Sequence, residues 1–247
     1  MESDEKIRNA VRNTRIVRAP KQTLATFGTT NVYYYLVAEA TYSELIDSTE
    51  TVIREGRVVA ERPKIVTPSY LSRVQGFSPE ARKYFEMLIK EYDPNSPGLF
   101  YAYRNEPKEL NVVSDNVVSV IEKLNTEIDQ KGDPLTSIIK GEDMLWDVSI
   151  LKFIYEITSR SLGENVRQLN RQGLLRVDSS GVPADARLRI EALFKIVEKG
   201  ELEPSELKAE LDRWNVFEEF PEPTIKTADR FRRELLMSEA TLSAISG

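Results

Sequence analysis

The sequence predicts an α+β protein: a mixed sheet with helices in the N-terminal half of the chain, followed by a mainly helical C-terminal half. Three observations lead to this class. Residues 23–38 are rich in Thr, Val, Tyr and Phe, which favour strands. Apolar residues recur at helical spacing over residues 115–130. From residue 135 onward nearly every segment has the helical pattern, and residues 144–161 are apolar almost all round, which is typical of a buried helix.

The first elements follow from local signals. A helix is expected over residues 5–18, where Ile7, Ala10, Val11 and Val17 form a thin apolar stripe, and Ala19-Pro20 ends it. Residues 23–38 then form a strand, and because both sides of residues 31–37 are apolar or aromatic, this strand should be central. Residues 49–66 predict a β-hairpin with Glu55-Gly56 as its two-residue loop.

The remaining elements share boundary signals, either a capping residue at the start or Gly or Pro at the end. They are a helix over 79–92 after Ser78-Pro79, strands over 99–103 and 109–113, a helix over 115–130 between Ser114-Asp115 and Gly132, and helices over 144–161, 183–199 and 204–214. We expect three parts along the chain: an α+β domain at residues 1–132, a helical domain at 133–222 and a C-terminal amphipathic helix within 223–247.

Composition excludes several kinds of chemistry. The 247 residues include no histidine and no cysteine, which rules out a Ser-His-Asp triad, a thiol nucleophile, a disulfide and a thiolate zinc site. The glycine-rich phosphate loops and the G-x-S-x-G elbow are also absent. We expect no cofactor and no metal, and the lack of cysteine favours a reducing, cytoplasmic environment. Mg²⁺ held by carboxylates stays open as the chemistry of an enzyme.

Charge is segregated along the chain. The net charge is −6, yet residues 1–21 carry six basic and three acidic residues, or +3. Residues 200–222 carry eight acidic and two basic residues, or −6. The protein is therefore dipolar rather than uniformly acidic, and its overall charge says little about its partners.

Five arginines are candidates for binding an anion. Arg8, Arg12 and Arg15 recur at i, i+4 and i+7 and would share one face of the first helix, where they could bind phosphates or an acidic protein surface. The simpler interpretation is a solvated helix face. Arg54 and Arg57 would face each other across the hairpin tip, and such like charges favour either a bound anion or a tip open to water.

Two other groups have a functional and a structural interpretation. Tyr33 to Tyr35 could line a ligand pocket or stack on bases, but tyrosine is also a preferred strand residue, and we favour a place in the core. Glu142, Asp143 and Asp147 could bind a divalent ion at a helix start. We favour the alternative that they complement the positive end of the helix dipole.

Residues 163–183, Gly-Glu-Asn-Val-Arg-Gln-Leu-Asn-Arg-Gln-Gly-Leu-Leu-Arg-Val-Asp-Ser-Ser-Gly-Val-Pro, include a candidate nucleic-acid segment. The segment resembles the recognition helix and wing of winged-helix DNA-binding domains. The resemblance implies that Arg167 and Arg171 face the DNA groove and that Arg176 lies at the wing. Winged-helix domains place a separate helix between their long first helix and the recognition helix. Too few residues precede this segment for such a helix. The simpler interpretation is a helix that ends at Gly173, followed by a glycine-rich connection.

The C-terminus is a candidate partner-binding segment. Pro221 and Pro223 separate the acidic segment from residues 225–245, which predict a short amphipathic helix with Phe231, Leu235 and Leu242 on its apolar side. Such a helix needs a surface to be stable in water. We expect it to bind another protein or a second copy of the chain, or to dock on its own chain.

The leading functional interpretation is a non-catalytic accessory or protein-interaction protein, because the usual catalytic motifs are missing and charge is segregated. A nucleic-acid-binding regulator that uses the winged-helix-like segment is the first alternative. An Mg²⁺-dependent enzyme that uses carboxylates is the second. No association with a membrane is expected, since no stretch of the chain has the apolar length of a span.

Overall fold

The computed structural model describes residues 2–41, 49–66, 74–75, 79, 83, 98–214 and 216–217. The chain forms two compact units. One comprises residues 1–64 and 68–169, and the other comprises residues 65–67 and 170–247. The division predicted from the sequence lies after residue 132, whereas this grouping places one after Leu169.

The fold class is α+β, as predicted. The helices in the described residues are α1 (Glu2–Asn13), α2 (Val117–Lys131), α3 (Trp146–Arg171), α4 (Ala184–Glu198) and α5 (Pro204–Trp214). The strands are β1 (Arg15–Arg18), β2 (Thr30–Glu39), β3 (Thr51–Ala60), β4 (Lys64–Val66), β5 (Val74–Gln75), β6 (Gly98–Phe100), β7 (Tyr103–Val113) and β8 (Thr136–Lys140). Helices α4 and α5 confirm the two helices predicted over 183–199 and 204–214.

A six-stranded mixed sheet in the order β1-β8-β2-β3-β7-β5 organises the first unit. Strand β2 pairs parallel with β8 and antiparallel with β3, so the prediction that it is central is confirmed. Strand β1 pairs antiparallel with β8, β7 antiparallel with β3 and β5 parallel with β7. The central strands therefore have both faces available for packing.

Helices cover the two faces of this sheet differently. On one face, Leu36 of β2 packs in a cluster with Ile7 of α1 and Phe153 of α3. On the other face, Val37 of β2 packs with Leu124 of α2 and Ile138 of β8. Since successive residues of a strand point to opposite faces, Leu36 and Val37 place β2 in both layers of the core.

The first helix is shorter than predicted, because a lysine of α3 and a buried threonine end it. Thr14 is buried, and its hydroxyl donates to the carbonyl of Ala10. The Lys152 ammonium donates to the carbonyl oxygens of Val11 and Thr14 at 3.0 and 2.7 Å. These contacts satisfy carbonyls that a helix end leaves without partners. Residues 15–18 then form β1, so a helix over 5–18 is wrong in its last turn.

The predicted hairpin over 49–66 is also wrong, since residues 51–60 form one uninterrupted strand. Its Ile53 pairs with Val37 and its Val58 with Val32, both on β2. Gly56 is needed for a close approach rather than for a turn. A Cβ atom there would lie 2.6 Å from Cζ of Tyr34 and 2.9 Å from the carbonyl oxygen of Glu106.

Strand β8 was not predicted, although it lies between β1 and β2. It has five residues, of which only Ile138 and Ile139 are aliphatic, so it lacks a periodic signal. Helix α2 is close to its prediction. Its N-cap is Asn116, whose side chain accepts from the backbone N–H of Ser119, and Gly132 ends it at φ 68°.

Two predicted helices fall mainly outside the described residues. The helix over 79–92 is described only at Pro79 and Lys83, which are both helical. Residues 225–245 lie wholly outside the described part of the chain. The strand predicted over 99–103 is divided between β6 and the start of β7, and β7 continues without a break through the strand predicted over 109–113.

Replacing Leu124 by Ala tests this packing. Leu124 is 8% exposed and lies in the cluster between α2 and the sheet, so we expect the variant to lose about 2–5 kcal/mol of unfolding free energy in urea. Val118 on the same helix is 64% exposed, and Val118→Ala serves as the control with a change near zero. Equal effects of the two substitutions would contradict the packing of α2.

Candidate interaction surface

The predicted arginines of the N-terminal segment do not share one helix face. Arg8 and Arg12 are exposed on α1, but Arg15 lies on strand β1, where it pairs with Lys140 of β8. Arg15 is exposed as well. The expected row of three arginines is therefore wrong in its third member, because the helix ends before it.

Arg54 and Arg57 lie on opposite faces of β3 rather than at a hairpin tip. Arg54 donates to Asp143 Oδ1 at 2.7 Å, and its guanidinium carbon lies 5.3 Å from the ring centroid of Trp146. Arg57 donates to Glu106 Oε2 at 2.5 Å. The two guanidiniums do not converge, so they cannot bind one anion together.

The acidic residues before α3 serve as hydrogen-bond acceptors. Glu142 accepts from the side chain of Asn13 at 2.7 Å, and Asp143 accepts from Thr41 as well as from Arg54. Asp147 is buried in the first turn of α3. Among the residues that the structure describes, no group of three or more acids is placed to bind a metal ion.

The segment that resembles a winged helix has a different structure. Helix α3 runs unbroken from Trp146 to Arg171, so residues 163–171 are its last turns and a separate recognition helix is wrong. Arg167 pairs with Glu164 on the same helix at 2.8 Å. Arg171 and Arg176 are exposed. The predicted partner-binding residues Phe231, Leu235 and Leu242 lie outside the described residues, and their role stays a prediction.

One face of the sheet carries a surface that sequence reasoning did not assemble. Helix α2 packs against Val37 and Ile138, and further along β2, β3 and β7 the same face is polar and aromatic. We call this surface the open sheet face. By the alternation of side chains along each strand and by the pairing register, it comprises Tyr33, Tyr35, Glu55, Arg57, Arg104, Glu106, Lys108 and Glu109.

Glu106 orders two arginines on the open sheet face. It accepts from Nε of Arg57 at 2.5 Å and from Nε of Arg104 at 2.7 Å. The hydrogen bond from Arg57 holds the pKa of Glu106 below its ordinary value. Arg57 also has a hydrogen bond with Tyr33, which adds to the rise of the Arg57 pKa caused mainly by Glu106. Both guanidiniums therefore lie beside the same carboxylate.

A β-bulge places a third cation on this surface. Glu55 pairs with Glu109 and Gly56 with Pro107, so Lys108 is the extra residue of β7. Its ammonium donates to Glu55 Oε1 at 2.7 Å, and this contact raises the pKa of Lys108. Bulges commonly redirect a side chain in this way.

The tyrosines of β2 divide between the core and the open sheet face. Tyr34 is 1% exposed, and the preferred interpretation as a core residue holds for it, whereas Tyr33 is 42% exposed. Beside Tyr33 and Tyr35 lies a small open groove with a volume of about 140 Å³. Besides Tyr33 to Tyr35, it is lined by Glu55, Ile128, Lys131, Asp133 and Thr136.

Two buried tyrosine hydroxyls and two buried carboxylates of the described residues serve in structural hydrogen bonds. Burial raises the pKa of Tyr34 to about 12, and its hydroxyl donates to Asn105 at 2.9 Å. Burial also raises the pKa of Tyr101, which donates to Asn165 at 2.7 Å. In the second unit, Arg189 donates to both Asp185 and Glu210 at 3.0 and 2.7 Å. The raised pKa values make the hydroxyls of Tyr34 and Tyr101 poor acids at neutral pH.

Comparisons with protein-family models, with curated proteins and with solved structures find no match for this chain. Within the described residues, no helix is both long and apolar enough to cross a bilayer.

Replacing Glu106 by Gln tests the order of the open sheet face. Because the pKa of Glu106 is lowered in the fold, its stabilising effect is present above the ordinary pKa of glutamate and is lost as the pH falls through the lowered value. We expect wild type to resist urea better than Glu106→Gln at neutral pH. The difference should begin to shrink as the pH falls past the ordinary pKa of glutamate and should vanish below the lowered value. No difference at neutral pH would contradict the ion pairs.

Proposed function

We propose that this protein is a non-catalytic protein-binding module whose contact surface is the open sheet face. The observation that carries the proposal is Tyr33, an aromatic residue 42% exposed on a central strand of the sheet. A tyrosine there displays a large apolar ring with a polar end, on a part of the fold that packing on the other face makes rigid.

The composition of this surface fits a protein partner. Tyrosine and arginine are enriched where proteins bind one another, and they supply a large share of the residues whose removal costs most affinity. Arg57 and Arg104 are already oriented by Glu106. These ion pairs limit the conformations of the two arginines before binding. The arginines therefore lose less conformational entropy when a partner binds than unpaired side chains would.

Nucleic acid fits this surface less well. Its three cations, Arg57, Arg104 and Lys108, are interleaved with Glu55, Glu106 and Glu109 on the same face. Carboxylates at these positions repel phosphates and offset the attraction that a continuous basic strip would give. The mixture of both signs favours instead a partner with its own pattern of charges, which gives specificity and register.

Replacing Tyr33 by Ala tests this function. The full-length protein is used to capture partners from a lysate of its source, and a captured protein is purified and titrated by calorimetry. We expect Tyr33→Ala to raise the Kd at least about tenfold, as for aromatic residues at the centre of an interface. Leu188 is similarly exposed on α4, and Leu188→Ala should leave the Kd unchanged.

Two results would overturn the proposal. One is a partner whose Kd is insensitive to Tyr33→Ala while the variant retains the melting temperature of wild type. The other is the absence of any protein that binds the purified chain in the titration.

A further inference from the structure

Helix α3 carries an exposed apolar stripe that the open sheet face does not include. Tyr155, Leu162 and Val166 are 41%, 43% and 37% exposed. They are spaced at i, i+7 and i+11, which places them on one side of the helix. Amphipathic helices of globular proteins normally turn such a stripe toward the core, so its exposure here calls for an explanation.

The orientation of α3 is fixed by polar contacts on its buried side. Ser161 accepts from the backbone N–H of Leu24 at 2.9 Å. Asn165 donates to the carbonyl of Leu24 and to the hydroxyl of Thr26 at 2.9 and 2.7 Å. The helix cannot rotate to bury the stripe without breaking these bonds.

Opposite charges flank the two ends of the stripe. Glu156 follows Tyr155 and Arg167 follows Val166, and their spacing of i and i+11 puts them on the same flank. Within the chain, Glu156 lies 3.9 Å from Lys152, and Arg167 pairs with Glu164. The carboxylate of Glu156 and the guanidinium of Arg167 are exposed, and ion pairs of this kind along one helix contribute little energy.

We propose that this stripe binds a second copy of the chain, with the two α3 helices antiparallel and a two-fold axis near Leu162. This arrangement places Tyr155 against Val166 of the second copy. It also places Glu156 against Arg167 of the second copy, because in an antiparallel pair the same flanks of the two helices face each other. By symmetry each contact occurs twice, as in the isologous interfaces of most dimers.

A parallel pairing has the opposite consequence. It would place the flanks that carry Glu156 and Arg167 on opposite sides of the helix pair, so no ion pair between these residues would form across the interface. The charges thus select the antiparallel register, while the apolar side chains supply the attraction. Because three half-exposed side chains give a modest apolar area, the dimer is a weak one of the transient class.

The dimer leaves the open sheet face accessible. Helix α3 packs in the cluster with α1 and with Leu36, on the face of the sheet opposite to Val37 and α2. The two surfaces of the first unit are therefore separate. A dimer through α3 would present two open sheet faces, and the inference stands whether or not a partner binds there.

Sedimentation equilibrium of the full-length protein, up to about 100 µM, tests the dimer in a range that suits weak association. We expect wild type to dimerise and Leu162→Arg to weaken the dimer at least about tenfold. Leu188→Arg, an equivalent change at an exposed leucine of α4, should leave the dissociation constant unchanged.

A charge exchange tests the register and does not depend on Leu162. Arg167→Glu and Glu156→Arg should each weaken self-association several-fold, since each creates two like-charge contacts across the interface. An equimolar mixture of these two variants should form a heterodimer about as stable as the wild-type dimer, because every cross-interface pair is again of opposite sign. Melting temperatures of both variants are measured in parallel.

Three results would overturn the inference. Wild type that stays monomeric throughout the concentration range is the first, and it would mean that the stripe has no second copy as its occupant. The second is a dimer unaffected by Leu162→Arg. The third is a mixture of Arg167→Glu and Glu156→Arg that associates no better than either variant alone.

Discussion

The first unit depends on a row of buried hydrogen bonds along helix α3. Ser149 bonds with Thr14, and Lys152 donates to carbonyls at the end of α1. Further along α3, Ser161 accepts from the backbone N–H of Leu24 and Asn165 donates to its carbonyl oxygen. Tyr101 donates to Asn165. A buried polar group without its partner costs about 1–3 kcal/mol. These contacts therefore fix where α1 ends, how the following segment crosses the helix and which side of α3 faces outward.

Both candidate surfaces follow from this arrangement. The polar side of α3 is occupied by intramolecular bonds, so the apolar stripe with Leu162 remains on the outside. On the far face of the sheet, α2 packs over Val37 and Ile138, and the part of β2 that bears Tyr33 is left to solvent. The first unit thus combines a buried, hydrogen-bonded interior with two exposed surfaces, one on the sheet and one on α3.

Long periodic elements could be predicted from the sequence, and short or contact-dependent ones could not. The central position of β2, helix α2 with its end at Gly132, and helices α4 and α5 follow from apolar patterns and terminal signals. The end of α1 at Asn13 depends on Lys152, which is far away in the sequence. Strand β8 is too short to show a period.

The open sheet face had a partial signal in the sequence. Tyr33 to Tyr35 suggested either a pocket or the core, but only the pairing of β2 with its neighbours decides which tyrosine points where. Glu55-Gly56 resembles a hairpin turn in isolation. The ring of Tyr34 packs against Gly56 and explains the glycine instead. Because β3 has no turn at this point, Arg57 lies beside Tyr33 and Glu106 and not beside Arg54. The α3 stripe could not be predicted for a related reason. The start of this helix is apolar on nearly all sides and buried, so the sequence pattern did not separate an exposed side in its second half.

Replacing Asn165 by Leu tests the row of hydrogen bonds along α3 most directly. Asn165 is 1% exposed and bonds with Leu24, Thr26 and Tyr101, so leucine at this position leaves several buried polar groups without partners. Urea unfolding of the variant should show a loss of at least about 2 kcal/mol, together with faster hydrogen exchange at the amides of residues 24–26. A loss below about 0.5 kcal/mol with unchanged exchange would contradict the account.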